Sequence, residues 1–290
     1  MLNQKVELQK KREFGDVLNA SFAFIKQEYK GLGRVLLLYA GIPVLVQAIL
    51  STVYVDTSLA DALRNLTNPE ASQDVVRAMP GKAFLFNLIN VIVQVFLSGL
   101  AYCYIVLYAK KGDQQVDIKE VWHKFTSFFG AFLGYNILTG LILVVAFLAL
   151  ILPGLYIMVP LSIILIVKVA EDQGYGASFS RCFYLIKNHW WQTFGLLIIA
   201  SIILLILSSL FGVPAGIVAG TQGILNPDAN LLSFPFMLTA FVSTIGTAIV
   251  TPIPAIILSF QYYSLVEHKD NTALLYKIDK INENGGMHND

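Results

Sequence analysis

Long parts of this sequence contain no ionisable side chain. Of its 290 residues, only 13% are charged and 56% are hydrophobic. The stretches without any Asp, Glu, Lys, Arg or His lie between Arg34 and Asp56, Lys82 and Lys110, Lys124 and Lys168, Trp190 and Asp228, and Asp228 and Glu267. A helix crosses the hydrocarbon core of a bilayer with about 20 apolar residues. The composition therefore excludes an ordinary soluble domain and predicts an all-α, polytopic membrane protein.

Residues that support catalysis or metal binding are scarce. The two cysteines, Cys103 and Cys182, are expected to pack as apolar residues without forming a disulfide. Neither HxxxH nor HExxH, the spacings typical of metal sites, occurs among the histidines His123, His189, His268 and His288. The uncharged stretches also lack the titratable relay that proton-coupled transport needs. We therefore expect no cofactor, no metal ion and no enzymatic activity.

The uncharged stretches predict six spans, at about 35–55, 83–109, 128–151, 155–170, 190–211 and 234–266. The run 125–167 is too long for one helix, and the Leu-Pro-Gly-Leu sequence at 152–155 predicts a tight hairpin inside it. Pro252 and Pro254 predict a kink in the long last span. Splitting that span would give a seventh and is kept as an alternative. We expect one membrane domain over residues 1–270 and a partly disordered tail over 271–290.

The basic residues are unevenly distributed along the chain. With six spans, seventeen of the twenty Lys and Arg residues fall on the side that holds both termini, and only Arg64, Arg77 and Lys82 fall on the other. Loops rich in basic residues stay in the cytoplasm. The distribution therefore predicts a multi-pass protein of the bacterial inner membrane with both termini in the cytoplasm.

Two segments on the predicted cytoplasmic side have amphipathic helical patterns. Their apolar residues are Phe14, Val17, Leu18, Phe22, Ile25 and Tyr29 in the first and Phe179, Cys182, Phe183, Ile186 and Trp190 in the second. Such helices either lie among lipid headgroups or cap the helix bundle, and both alternatives stay open. The candidate surface for anionic lipid or a partner membrane protein consists of Lys26, Lys30, Arg34, Arg181 and Lys187.

Neutral polar residues form a stripe along the second predicted span. Asn87, Asn90, Gln94 and Ser98 are separated by three, four and four positions, which places them on one helix face. Gln47 in the first span and Asn136 in the third complete a predicted polar cavity among these three spans. The cavity would admit water, a solute or a lipid headgroup. The alternative is that these amides only form hydrogen bonds between helices.

Small residues recur every four positions in the last third of the chain. One ladder contains Ser208, Gly212, Gly216 and Gly220, and a second contains Thr239, Ser243, Thr247 and Thr251. Small side chains let helix backbones approach closely. We therefore expect the fifth and sixth spans to pack face to face, with a substrate groove as the alternative.

Several short motifs follow one another in an order typical of one family. They are Arg12-Glu-Phe-Gly-Asp16, Leu152-Pro-Gly-Leu155, Val169-Ala-Glu-Asp-Gln-Gly174, Trp190-Trp191 with Phe194-Gly195, and Phe260-Gln-Tyr-Tyr-Ser-Leu-Val266. In this order the chain resembles a bacterial family of six-span proteins related to the membrane domain of glycerophosphoryl diester phosphodiesterases. The resemblance covers most of the chain and implies a fold more than an activity.

These observations predict a non-enzymatic membrane module that binds lipid or a partner protein, or serves as an accessory subunit of a membrane complex. Its partners would be the bilayer, anionic lipid and another membrane protein, with no nucleic acid. The alternative is a permease for a neutral or amphipathic solute that uses the polar stripe. A membrane-embedded lipid enzyme ranks last, because no catalytic set is recognisable.

Overall fold

The computed structural model describes residues 5–53, 80–112, 115–225 and 234–271. Within these ranges the chain is helical and contains no strand. Six helical segments are long and apolar enough to cross a membrane: Phe14–Ser51, Phe86–Lys111, Ile118–Ala149, Ile151–Glu171, Trp190–Val218 and Phe234–Asp270. The chain is therefore a multi-pass membrane protein, and the predicted all-α, six-span fold is confirmed.

Some predicted features lie outside the described residues. These are the connection 54–79, with Arg64 and Arg77, the segment 226–233, and the tail from residue 272 onward. The end of the first predicted span at residues 54 and 55 also falls there.

The helices are α1 (Phe14–Val35), α2 (Gly41–Val53), α3 (Pro80–Lys111), α4 (Ile118–Ala149), α5 (Ile151–Leu161), α6 (Ile164–Glu171), α7 (Tyr175–Ile186), α8 (Trp190–Leu225), α9 (Phe234–Val250) and α10 (Ile253–Asp270). A short π-helix, Leu36–Ala40, joins α1 to α2 without interruption. The first amphipathic segment and the first span are thus one continuous helical segment. The second amphipathic segment forms α7, as predicted.

The hairpin between the third and fourth spans turns earlier than predicted. Helix α4 ends at Ala149 and α5 begins at Ile151, so the single residue Leu150 makes the turn. Pro153 then lies in the first turn of α5. Proline has no backbone N–H, and an N–H in the first turn would have no hydrogen-bond partner within the helix. The next residue, Gly154, allows a close approach, because a Cβ there would lie 2.6 Å from the Phe147 ring.

Other helix ends also depart from the predicted spans. Helix α4 begins ten residues before predicted position 128, because the side chain of Asp117 caps it by accepting a hydrogen bond from the Lys119 N–H at 3.1 Å. Helix α8 continues through Pro214 to Leu225, beyond the predicted end of the fifth span at residue 211. The last span is interrupted at Thr251 and Pro252, where a kink was predicted.

The chain forms two compact units. The first unit comprises Met1–Val35, Gly99–Ser201 and Ile253–Asp290, and the second comprises Leu36–Ser98 and Ile202–Pro252. The core of the first unit is aromatic: Phe24 of α1 packs edge to face on Tyr108 and Phe260, with ring centroids 5.0 and 5.6 Å away. One side of α1 therefore caps this unit, while Phe22 and Tyr29 on its other side are exposed.

The second unit is built around the pairing of α2 with α9. Ala48 of α2 is fully buried, and Ala248 of α9 is buried too. One helical turn further along the contact, the hydroxyls of Ser51 and Thr244 are hydrogen-bonded at 2.9 Å. Helix α9 thus makes its most extensive described contact with α2, where we had expected α8. The contact with α8 is limited, with Gly212 at ordinary packing distance from Ser243 and Phe211 against Gly246.

Candidate functional site

The second unit contains a polar cavity of about 350 Å³ among helices α2, α3, α8 and α9. Among the residues that the structure describes, none in the lining is ionisable, and the walls include Gln47, Asn90, Val93, Gln94, Leu97, Leu204, Ser243, Thr244, Thr247, Ala248 and Thr251. All these residues belong to segments apolar enough to cross a membrane. The cavity therefore combines amide and hydroxyl groups with an apolar setting.

Two amides form one wall of the cavity. The Gln47 Nε2 group donates to Asn90 Oδ1, and the Asn90 Nδ2 group donates to the Phe86 carbonyl at 2.9 Å. Each amide fixes the orientation of the next, so Asn90 presents a defined surface. This pair joins α2 to α3 and corresponds to the interhelical alternative that we considered for the stripe.

The remaining polar groups of the lining keep free hydrogen-bonding capacity. Within the described ranges, the side chains of Gln94, Ser243 and Thr247 make no hydrogen bond. Gln94 is exposed, so the cavity is open at the surface of the second unit. Thr244 and Thr251 instead return their hydroxyls to the backbone of α9, at 3.0 and 2.8 Å.

Only half of the predicted cavity residues line this cavity. Asn87 and Ser98 lie on α3 outside it, and the Ser98 hydroxyl donates to the Gln94 carbonyl at 2.7 Å. Asn136 belongs to the first unit, where its amide donates to the Phe132 carbonyl of its own helix at 2.8 Å. The predicted wall from the third span is therefore replaced by α8 and α9, because the ladder residues Ser243 and Thr247 face the cavity.

Three of the predicted basic surface residues form a stripe on α1. Lys26, Lys30 and Arg34 are four positions apart and all exposed. None of them pairs with an acidic side chain in the part of the chain that the structure describes. The Lys30 ammonium lies 5.6 Å from the ring centroid of Tyr29, which is itself 58% exposed. We call Lys26, Lys30 and Arg34 the α1 basic stripe.

Arg181 occupies a different environment from the stripe. Its Nε donates to both carboxylate oxygens of Glu171, at 3.0 and 3.1 Å, and its Nη2 donates to Asp270. The Tyr262 hydroxyl also donates to Glu171, at 2.9 Å. We call these four residues the Glu171 cluster. Its members link α6, α7 and α10 through these hydrogen bonds. The other basic residue predicted near α7, Lys187, follows the end of this helix and is exposed.

A buried connection at Arg12 was not predicted from the sequence. The Arg12 N–H donates to Ser264 Oγ at 2.9 Å, and the Arg12 carbonyl accepts from Ser264 Oγ at 3.1 Å and from Gln192 at 3.3 Å. The guanidinium, in a residue only 7% exposed, donates to the carbonyls of Leu8, at 2.8 Å, and Glu7. Burial lowers the pKa of this guanidinium, while Glu7 and Asp16 act in the opposite direction.

The same region brings three of the quoted sequence motifs together. A Cβ on Gly195 would lie 2.9 Å from the Phe14 ring, so this glycine permits a close approach of α8 to the start of α1. Gln261 donates to the Thr193 hydroxyl at 3.0 Å in the interior. Gln261 and Ser264 are polar residues inside the apolar last span, and their presence in the sequence was the signal that could have indicated these buried hydrogen bonds.

His189, between α7 and α8, is a titratable group with an unusual environment. Its Nδ1 is buried and has no hydrogen-bond partner within the described ranges, and its ring centroid lies 5.0 Å from that of His268. Burial lowers the pKa of His189. The neighbouring His268 and Lys269 lower this pKa further, and the backbone of Lys187 acts in the opposite direction. The neutral imidazole is thus the form that the fold favours.

We expect the stability of the protein to fall as the pH is lowered from 7.5 to 5.5. Because the pKa of His189 is lower in the folded state, the unfolded chain binds more protons as the pH falls through its ordinary value of about 6.5. The measurement is the melting temperature in detergent across this range. His189→Asn should make the pH dependence shallower, whereas His123→Gln, at an exposed position, should not. Equal pH dependence in wild type and His189→Asn would contradict the assignment.

Comparison with known proteins gives one match. A protein-family model described as "Domain of unknown function (DUF7847)" matches residues 33–265. No curated protein matches the chain, and no solved structure does. The matched range contains the whole cavity lining and three members of the Glu171 cluster, but it begins after Arg12.

Proposed function

The chain belongs to the DUF7847 family, and we propose that it is a non-enzymatic membrane module that binds anionic lipid through the α1 basic stripe. We place it in the bacterial inner membrane with both termini in the cytoplasm, because seventeen of its twenty basic residues then lie inside. We also propose kinship with the membrane domain of glycerophosphoryl diester phosphodiesterases. The order of the sequence motifs, from Arg12 to Val266, is the observation that supports this kinship.

The observation that carries the lipid proposal is the continuity of α1 with the first span. The stripe Lys26, Lys30 and Arg34 is followed directly by Leu37 and Leu38, which are 79% and 59% exposed. Arg34 and Leu37 are only three positions apart in the sequence, less than one helical turn. Exposed basic residues are thus followed within one helical turn by exposed apolar ones, as expected for a helix that enters a membrane from an anionic leaflet.

The electrostatic free energy of the α1 basic stripe is also large enough for binding to anionic lipid. Each Lys or Arg near an anionic leaflet contributes about 1 kcal/mol at physiological ionic strength. Three charges without an acidic partner among the described residues therefore supply roughly 3 kcal/mol, enough for a clear preference for anionic over zwitterionic lipid. The exposed Phe22 and Tyr29 on the same helix add aromatic side chains that favour the interface.

The test is the lipid preference of the triple variant Lys26→Gln/Lys30→Gln/Arg34→Gln. In bilayers of phosphatidylcholine with phosphatidylglycerol, spin-labelled lipids report the composition of the boundary layer. We expect wild type to enrich phosphatidylglycerol in a salt-sensitive way and the variant to lose most of this enrichment. The control Lys10→Gln/Lys11→Gln/Lys119→Gln removes the same charge from exposed positions outside α1.

Two results would overturn the proposal. One is an unchanged phosphatidylglycerol preference in the α1 variant, and the other is an equal loss in the control. If the α1 variant kept its lipid preference but no longer co-purified with another membrane protein, the accessory-subunit function would replace lipid binding.

A permease for a neutral or amphipathic solute is the second candidate function. The observation that favours it is the uncharged, polar lining of the cavity in the second unit. Transport predicts a solute flux into proteoliposomes that falls when Asn90 and Gln94 are both replaced with Leu. Lipid binding by the α1 basic stripe predicts no effect of this double substitution on the boundary lipids.

A further inference from the structure

We propose that the cavity of the second unit is a binding site for an uncharged ligand that presents neighbouring hydroxyl or carbonyl groups, such as the glycerol backbone of a neutral lipid or a free polyol. The site shares no residue with the α1 basic stripe. The inference therefore goes beyond the lipid-surface function, and either can fail without the other.

The first reason is the unused hydrogen-bonding capacity of the lining. Gln94, Ser243 and Thr247 line the cavity, and their side chains make no hydrogen bond within the described ranges. In the hydrocarbon region no bulk water is present to satisfy such groups, and each unsatisfied group costs several kcal/mol. A bound group that donates and accepts hydrogen bonds removes this cost. Gln94 offers both a donor and an acceptor, and each hydroxyl can act as either.

The second reason is the absence of charge in a site of ligand size. The described part of the lining contains no ionisable residue, so a charged headgroup would be desolvated there with no opposite charge from these residues to compensate it. This selects a neutral ligand. The volume of about 350 Å³ falls in the range of roughly 300–1,000 Å³ that is typical of small-molecule sites.

The third reason is the division of the lining into polar and apolar parts. The Gln47 and Asn90 side chains are hydrogen-bonded to each other, and Asn90 to the Phe86 carbonyl, so this pair gives one polar wall. Leu97 and Leu204 contribute apolar surface to the same cavity. A ligand with both polar oxygens and an apolar portion is complementary to both. A glycerolipid meets this description through its backbone oxygens and acyl chains, and a free polyol meets only the polar half.

The experiment uses the full chain in phosphatidylcholine nanodiscs with two probes, dioleoylglycerol and glycerol. Native mass spectrometry measures retained dioleoylglycerol, and added glycerol tests competition. We expect wild type to retain the lipid and Gln94→Leu/Thr247→Val to retain it roughly tenfold less, because two hydrogen bonds are lost. Thr247→Val preserves side-chain shape, and Gln94 is exposed, so both changes are compatible with folding. Melting temperatures check this directly.

The matched control is Thr239→Val, which removes a hydroxyl from the same ladder of α9 at a position outside the cavity lining. It should retain dioleoylglycerol as wild type does. Competition by millimolar glycerol would identify a free polyol as the ligand source, and retention unaffected by glycerol would identify the neutral lipid. If neither probe bound wild type more than Gln94→Leu/Thr247→Val, the cavity would hold only water and the proposal would be overturned.

Discussion

Replacing Arg12 with Leu is expected to destabilise the protein by roughly 2–4 kcal/mol. The guanidinium satisfies the carbonyls of Leu8 and Glu7 in a buried position, and each buried acceptor that loses its partner costs about 1–3 kcal/mol. The side chain also lies 5.4 Å from the Phe260 ring centroid and would leave unfilled space there. The measurement is the melting temperature in detergent, together with proteolysis of the N-terminal segment, which should become faster.

Two further variants make this prediction specific. Lys10→Leu changes an exposed neighbour and is expected to leave the melting temperature within the range of ordinary surface substitutions, about 0.5 kcal/mol. Arg12→Lys keeps the charge but cannot hold two carbonyls in one planar fork, so its loss should be intermediate. If Arg12→Leu were as stable as Lys10→Leu, the buried connection would not contribute to the fold.

The second large effect is expected for Glu171→Ala, at roughly 2–4 kcal/mol. This carboxylate accepts from Arg181 and from the Tyr262 hydroxyl, and its side chain is only 17% exposed. Removing it leaves the partly buried guanidinium with Asp270 alone and the Tyr262 hydroxyl with no acceptor. Breaking a buried pair on one side costs more than the pair contributes, because the remaining charge stays desolvated. Thermal unfolding in detergent measures the loss.

Glu120 offers a matched control for this prediction. Its ion pair with Lys111 has an N–O distance of 2.7 Å, but the Glu120 side chain is 46% exposed. A pair of this kind contributes at most about 1 kcal/mol because water screens it. Glu120→Ala should therefore unfold close to wild type. Equal losses in Glu120→Ala and Glu171→Ala would show that burial does not set the strength of the Glu171 cluster.

The spans could be predicted from the sequence because charge is excluded from the hydrocarbon region. The ends of the helices could not be predicted in the same way. Lys119 and Lys124 lie inside α4, and a basic side chain can reach water from within a helix that enters the membrane. A charge therefore ends an apolar run without ending the helix. The same reasoning explains why α1 continues into the first span although its surface is charged.

The candidate sites illustrate a second limit. The spacing of Asn90 and Gln94 placed both on one face of α3, and the structure places both in one cavity. The spacing of residues within α3 does not predict which other helices line the cavity, because that depends on the pairing of α2 with α9. Arg181 was assigned to an outer surface because it is basic, but its partners Glu171 and Asp270 are ten and 89 positions away. Contacts of such separation leave no periodic signal in the sequence.

The link between Arg12 and Ser264 also orders events during synthesis. The two residues are 252 positions apart in the chain. A ribosome that adds roughly 5–20 residues per second needs about 13–50 s to pass from one to the other. During that interval the N-terminal segment emerges and the early spans insert before Ser264, whose hydroxyl accepts the Arg12 N–H, has been synthesised. Completion of the first unit is thus a post-insertion step that waits for the final helix, and a nascent chain stopped before α10 would leave its N-terminus unanchored.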